Sequence, residues 1–208
     1  MEIKSYNLLN VGVGGQGVIS AIQILSHAAL LEGYKVRTAE THGMAQRGGS
    51  VASYLRFGSL VEGPLIPRGM ADLVMAFEAS EAVRNFNYAG LYTYFFINNQ
   101  LIVPPQIHQL GMEYPNIEEI HTFLKDVSPN IFFIDANNLA REAGNLRTMN
   151  VVMLGVISGS GTLPIKVENI QEAIKLFVPK KAIEVNKLAF NLGLEKGRSL
   201  RREIYEYT

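Results

Sequence analysis

Cysteine is absent from the chain. That absence excludes disulfides, thiolate nucleophiles, cysteine-ligated zinc and any iron–sulfur cluster held by this polypeptide's own thiolates. It fits a cytoplasmic protein, since disulfides are rare in that compartment. Excess charge is missing too. Nineteen Lys and Arg balance nineteen Asp and Glu, and charged residues make up 18% of the chain. Neither nucleic acid nor a membrane surface is indicated as a partner. No apolar run approaches the roughly 20 residues needed to span a bilayer. The opening MEIKSYNLLNVGVGG breaks into glycines too soon for a secretory signal and reads as a strand. Internal repeats, low-complexity tracts and long linkers are likewise lacking.

What is present is a 208-residue chain with 48% hydrophobic residues. That is enough to bury a core without disulfides or metals, in a single domain over residues 1–208. YNLLNV reads as a buried strand running into GVGGQG. The following VISAIQILSHAALLEGY has helical spacing, with Gly33 as its C-cap. KVRTAE is a second strand, and the three pieces form a βαβ unit of the kind that builds parallel sheets. SVASYLRFG, ADLVMAF, GLYTYFFINN and NIFFIDA are further strands, with LIVPP as a short extended piece and a candidate hairpin partner. EASEAVRNF, NIEEIHTFLKDV and NNLAREAG are helical. From Asn150 onward the pattern is helical throughout: NVVMLGVISGSG, VENIQEAIKLFV and AIEVNKLAFNLGLEKG. The expected fold is α/β: a Rossmann-like, mostly parallel sheet flanked by helices over about residues 1–148, then a C-terminal helical cluster over about 149–208.

Two glycine-rich loops carry the candidate chemistry. Gly12, Gly14 and Gly17 satisfy G-x-G-x-x-G between a strand and a helix, with Gly15 and Gln16 inside the motif. Such a loop turns sharply and offers backbone N–H groups and a helix N-terminus to a phosphate or another small anion. Close packing of strand on helix explains the same glycines without a ligand. Glu40, ending the second strand, stands where a ribose-binding acid belongs in a nicotinamide or flavin dinucleotide site. THGMAQRGGSV then supplies His42, Gln46, Arg47, Gly48 and Gly49, which a dinucleotide fold does not require there. Arg47 suits a phosphate or carboxylate, on a ligand or on a neighbouring subunit. His42 reads as a base, a hydrogen-bond donor or a packed side chain. No catalytic residue and no metal ligand set is identified.

Taken together, GVGGQGV, THGMAQRGGSV, DLVMAFEASEAVR, NVVMLGVISGSGTLP and NKLAFNLG resemble the gamma-domain family of 2-oxoacid:ferredoxin oxidoreductases over nearly the whole chain. Within it they are most similar to the indolepyruvate type. The resemblance implies an accessory beta subunit for the coenzyme A-dependent oxidative decarboxylation of aryl-2-oxoacids, with ferredoxin as electron acceptor. It implies that thiamine diphosphate and the iron–sulfur clusters sit on a catalytic alpha subunit. The contribution of this chain is then subunit packing and a contact with coenzyme A. The sequence agrees independently on one point: without cysteine, and without a GDG…NN arrangement for thiamine diphosphate, this chain cannot hold those groups itself. A self-sufficient NAD- or FAD-binding oxidoreductase and a non-enzymatic assembly module remain alternatives. The chain is expected to be inactive alone and to form a homodimer when isolated.

Other residues have ordinary explanations. Glu78 and Glu81 begin a helix, where acids complement the helix dipole, and Arg84 lies three residues on for an ion pair. Asp135 ends a strand, as a helix N-cap or a ligand contact. His27 reads as packed, and His108 and His121 lack metal-ligand companions. LYTYFF reads as core strand, and the tail GRSLRREIYEYT as a solvated terminus or a docking segment.

Overall fold

In the computed structural model, residues 3–43, 49–104, 107 and 113–206 are described. The sheet comprises β1 (Tyr6–Val13), β2 (Lys35–His42), β3 (Ser50–Gly58), β4 (Ala71–Ala76), β5 (Ala89–Asn98) and β6 (Ile131–Ile134). The helices are α1 (Val18–Leu31), α2 (Ala79–Arg84), α3 (Ile117–Lys125), α4 (Ala136–Glu142), α5 (Met149–Ser160), α6 (Val167–Phe177) and α7 (Ile183–Glu206). Strand order is β2-β3-β1-β4-β5-β6. The expected α/β, mostly parallel architecture is present, with one modification. β3 runs antiparallel to both of its neighbours, β1 and β2, while β4, β5 and β6 follow β1 in parallel. The β1–α1–β2 crossover therefore skips a place, and the β2–β3 hairpin fills it.

Alternation along the strands sends side chains to two cores. Leu8, Leu55, Leu73 and Phe96 face α1 and the C-terminal helices. Leu9, Val11, Val74 and Phe95 face Ala79 and Ala82 of α2 and Ile120 and Leu124 of α3. The first core continues without a break from the sheet into α5, α6 and α7.

The C-terminal helices are joined by glycine. Gly155 and Gly159 on α5 face Gly193 and Gly197 on α7, and the two helices run side by side in the same direction. A Cβ at Gly155 would lie 2.2 Å from the Phe190 carbonyl oxygen, and one at Gly193 would lie 2.0 Å from that of Val152. The backbones themselves form the contact, at a separation that no side chain permits.

Three sequence expectations need correction. Residues 101–104 form no strand, so LIVPP is not a hairpin partner. The backbone N–H of Ile102 donates instead to a Glu78 carboxylate oxygen at 3.0 Å. The segment from Gly197 is not a loose tail: α7 runs to Glu206, because Leu200 and Ile204, one turn apart, are buried in the first core. LYTYFF is only partly core. Leu91 and Tyr92 are 61% and 83% exposed, since the β4–β5 register jumps from Ala89 to Tyr94 and leaves them without β4 partners.

Candidate functional site

The first glycine loop closes on itself. The Gln16 side-chain oxygen accepts from the Val13 N–H at 2.7 Å, and its amide nitrogen donates to the Phe77 carbonyl at 3.1 Å. Gln100 extends the ladder: its Oε1 lies 3.4 Å from Gln16 Nε2 and 3.3 Å from Asn98 Nδ2. Asn98 is fully buried, donates to the Phe77 carbonyl and accepts from the Ala136 N–H. The C-terminal ends of β1, β4, β5 and the start of α4 are thus stitched by side-chain amides.

Each glycine in the loop has its own role. Gly12 is a packing glycine, since a Cβ there would meet Gln16 Oε1 at 2.8 Å and Val18 Cγ2 at 2.9 Å. Gly15 and Gly17 have φ of 103° and 82°, in the left-handed region that disfavours side chains. A Cβ on Gly17 would also strike Asn150 Nδ2 at 2.6 Å. Gly14 donates its N–H to the Gly49 carbonyl at 2.9 Å, so the stem of the second glycine loop leans on the first. The rest of that loop, Gln46, Arg47 and Gly48, lies outside the described residues, as do His108 and the side chain of His42.

A cleft of about 450 Å³ opens beside the loop. Its walls are Gly15, Gln16, Gly17 and Ser20, with Gln100 and Ile102 after β5, Asn137 in the first turn of α4, and Leu146, Arg147, Met149 and Asn150 at the start of α5. This is the position where open α/β sheets take ligands, outside the carboxyl ends of the strands. The first turns of three helices border it. Those of α1 and α5 carry no acidic residue, and neither has a side-chain cap. In the first turn of α5 the Met149 N–H donates to the Leu146 carbonyl and the Val151 N–H to Asn150 Oδ1. The start of α1, with its partial positive charge, and the Arg147 guanidinium are therefore what favour an anion. Of the residues singled out from sequence, Gly15, Gln16 and Gly17 line the cleft. Gln100, Asn137, Arg147 and Asn150 were missed. Arg147 precedes an uncapped helix start, a weak signal that gains meaning only when the chain brings it opposite a loop far upstream.

The acids resolve differently. Glu40 ends β2, but β3 intervenes between β2 and β1. At about 4.8 Å per strand β2 lies nearly 10 Å from β1 instead of beside it, one strand spacing away from the usual ribose position, so the dinucleotide reading loses its acid. Asp135 caps α4, accepting from the Asn138 N–H at 3.0 Å. Glu78 and Glu81 are more than dipole partners: both are buried, at 0% and 4% exposure. Glu78 accepts from the Ser80 hydroxyl at 2.7 Å and the Glu81 and Ile102 N–H groups at 3.0 Å, with the Tyr114 hydroxyl at 3.4 Å. Glu81 accepts from the Ser50 hydroxyl at 2.5 Å and pairs with Arg84 at 3.3 Å. Burial pushes the Glu81 carboxyl above its ordinary range, against the pull of Ser50 and Arg84, with Glu78 adding to the rise. His27 packs edgewise on Phe177 and His121 on Phe133, each with ring centres 5.7 Å apart.

Comparison with known proteins adds ancestry to this geometry. The family model for pyruvate ferredoxin/flavodoxin oxidoreductase matches residues 7–196. The indolepyruvate oxidoreductase subunit IorB of Pyrococcus horikoshii is 42% identical over 199 residues, covering 95% of this chain and 98% of that one. The IorB subunit of Archaeoglobus fulgidus is 38% identical over 195 residues, covering 94% and 96%. Among solved structures, a keto/oxoacid ferredoxin oxidoreductase gamma subunit from Geobacter sulfurreducens superposes with TM-score 0.66 at 21% identity, covering 93% of this chain and 99% of that one. A 2-oxoglutarate:ferredoxin oxidoreductase from Magnetococcus marinus, with 2-oxoglutarate, coenzyme A and succinyl-CoA bound, superposes with TM-score 0.69 at 22% identity, covering 97% of this chain and 32% of that one. These structural likenesses show the fold.

Proposed function

This chain belongs to the pyruvate ferredoxin/flavodoxin oxidoreductase family, and from that premise we propose that it is the accessory subunit of an indolepyruvate-type 2-oxoacid:ferredoxin oxidoreductase. The holoenzyme oxidatively decarboxylates aryl-2-oxoacids, passes electrons to ferredoxin and delivers the acyl group to coenzyme A in the cytoplasm. The partner catalytic subunit holds the iron–sulfur clusters, because this chain has no cysteine to ligate them, and thiamine diphosphate, because this chain has no GDG…NN arrangement for it. Inactivity of the isolated chain, and its pairing with a second copy when the partner is missing, belong to the same reading.

The observation that carries the role of this chain is the cleft beside the first glycine loop. The start of α1 and Arg147 present donors there, without a neutralising acid in the first turns of α1 and α5. We assign the phosphate-bearing part of coenzyme A to that cleft, with Gly15, Gly17 and Arg147 as its anchors. We assign His42, Gln46, Arg47, Gly48 and Gly49 to contact with the same ligand or with the catalytic subunit. Coenzyme A supplies the acyl-accepting thiol, and this chain orients it.

The test is reconstitution. The purified chain should show no visible iron–sulfur absorbance and no indolepyruvate-dependent viologen reduction. Added to the catalytic subunit, it should restore coenzyme A-dependent reduction. A catalytic subunit equally active and equally responsive to coenzyme A without this chain overturns the assignment.

A further inference from the structure

Glu78 and Glu81 occupy one turn at the end of β4, yet their partners come from segments far apart in sequence. Glu78 faces forward, to the Ile102 N–H on the cleft wall and to Tyr114. Glu81 faces back, to Ser50 at the stem of the second glycine loop. Ser50 is also where that loop closes, since its carbonyl accepts from the Gly43 N–H at 2.9 Å; the adjacent Gly49 carbonyl receives the Gly14 N–H. Among the described residues the neighbouring charges are few: Arg84 on the same helix, the two carboxylates themselves, and the Tyr114 phenol, which burial pushes above its ordinary range.

We propose that Glu78 and Glu81 are positioning residues that fix, from a single turn of α2, the stem of the second glycine loop and the far wall of the cleft against the first loop. Neither carboxylate touches the ligand. Each holds a backbone segment at the geometry the ligand needs, so that the cleft is formed before anything binds. Burial opposes the ionised form of Glu81, and the Ser50 hydroxyl and the Arg84 guanidinium offset part of that opposition.

The consequence for coenzyme A rests on the function proposed above, but the primary readout does not. Amide hydrogen exchange in the full chain should show Gly14 and Gly43 exchanging about tenfold faster in Ser50→Ala, the loss expected when a hydrogen bond to a charged acceptor is removed. Glu81→Gln should show a smaller acceleration at the same amides, because a neutral acceptor remains. Glu78→Gln should accelerate Ile102. Val74, inside β4, should be unchanged in all three. In the reconstituted complex, the same variants should raise KM for coenzyme A while leaving kcat and KM for indolepyruvate in place. Unchanged exchange at Gly14, Gly43 and Ile102 overturns the proposal. Accelerated exchange with unaltered KM for coenzyme A upholds the positioning and instead removes the coenzyme A assignment.

Discussion

The backbone N–H of Gly14 donates to the carbonyl of Gly49 at 2.9 Å. This one bond joins the two glycine loops that the sequence presents separately, and the antiparallel insertion of β3 makes it possible. Gly12 and Val13 pair with Val51 and Ser50 in the β1–β3 ladder, so the loop after β1 and the loop before β3 leave the same end of the sheet. In a sheet with β2 beside β1, Gly49 and Ser50 would not lie next to the end of β1. The hairpin thus exchanges a ribose acid for a polar loop.

Gln16 is the keystone of the first loop, not a free ligand donor. Its amide oxygen and nitrogen are both engaged, with the Val13 N–H and the Phe77 carbonyl. Gln16→Ala leaves the Val13 N–H without its acceptor, while the Phe77 carbonyl keeps Asn98 as a donor, and should cost about 1–3 kcal/mol, read as a shift of the urea midpoint at constant slope. Gln16→Glu is the informative companion. It can still accept from Val13 but presents an oxygen to the Phe77 and Gln100 oxygens, so it should be destabilised at neutral pH and recover as the carboxyl is protonated.

Glu81 gives a pH dependence with a definite sign. Its folded-state carboxyl titrates above the unfolded value because it is buried. Its contribution is therefore fully present below the unfolded glutamate range and is lost as pH rises through the folded value. Glu81→Gln has no charge to bury. The melting temperature of the variant relative to wild type should climb between pH 4 and pH 8, and a flat difference would show that the carboxylate is not penalised.

Sheet and helices were legible because their signals are local: alternation in YNLLNV, helical spacing in VENIQEAIKLFV, a glycine loop between strand and helix. The insertion of β3 was not, since strand order depends on which edges meet after folding and leaves no mark in the residues of a single strand. The same holds for the site. Gly15, Gln16 and Gly17 were found by motif, whereas Arg147 and Asn150 reach the cleft only because α5 packs across the sheet. Glu81 was read correctly as a partner of Arg84. Its bond to Ser50 was out of reach, because an acid at a helix start looks the same whether or not it is buried. The small-residue spacing of Gly155, Gly159, Gly193 and Gly197 is visible in the sequence, but the pairing is not. Each glycine there looks like a mild helix penalty until the two helices are seen together.

That helix pair makes a sharp stability prediction. Gly155→Ala improves intrinsic helix propensity by about 1 kcal/mol, yet its Cβ would fall 2.2 Å from the Phe190 carbonyl oxygen. Neither atom belongs to a flexible side chain, so the helices must part. A net loss near the upper end of overpacking costs, about 3 kcal/mol, corresponds to a melting temperature lower by roughly 6–12 °C in a chain of this size. Gly193→Ala should behave alike. Gly63→Ala, where nothing lies within 4 Å of the new Cβ, should change little. Equal melting temperatures for Gly155→Ala and Gly63→Ala would contradict the close backbone contact.

Arg147 separates a ligand role from a scaffold role most cleanly. It lies at the cleft's edge, exposed, just before α5. Its backbone N–H donates to Asn145 Oδ1, which a substitution of the side chain leaves in place. Arg147→Ala should therefore alter the melting temperature by little, as exposed substitutions away from structural bonds do. If the guanidinium holds a phosphate of coenzyme A, its loss removes a charge-assisted hydrogen bond and should raise KM for coenzyme A about tenfold in the reconstituted complex. The indolepyruvate KM should hold, because in the proposed complex the oxoacid reacts on the other subunit. Arg147→Lys keeps the charge and loses the planar fork, so it should fall between the two. Raising ionic strength should narrow the gap between wild type and Arg147→Ala, since screening weakens an exposed charge pair. An unchanged KM for coenzyme A in Arg147→Ala would place the anion elsewhere in the complex.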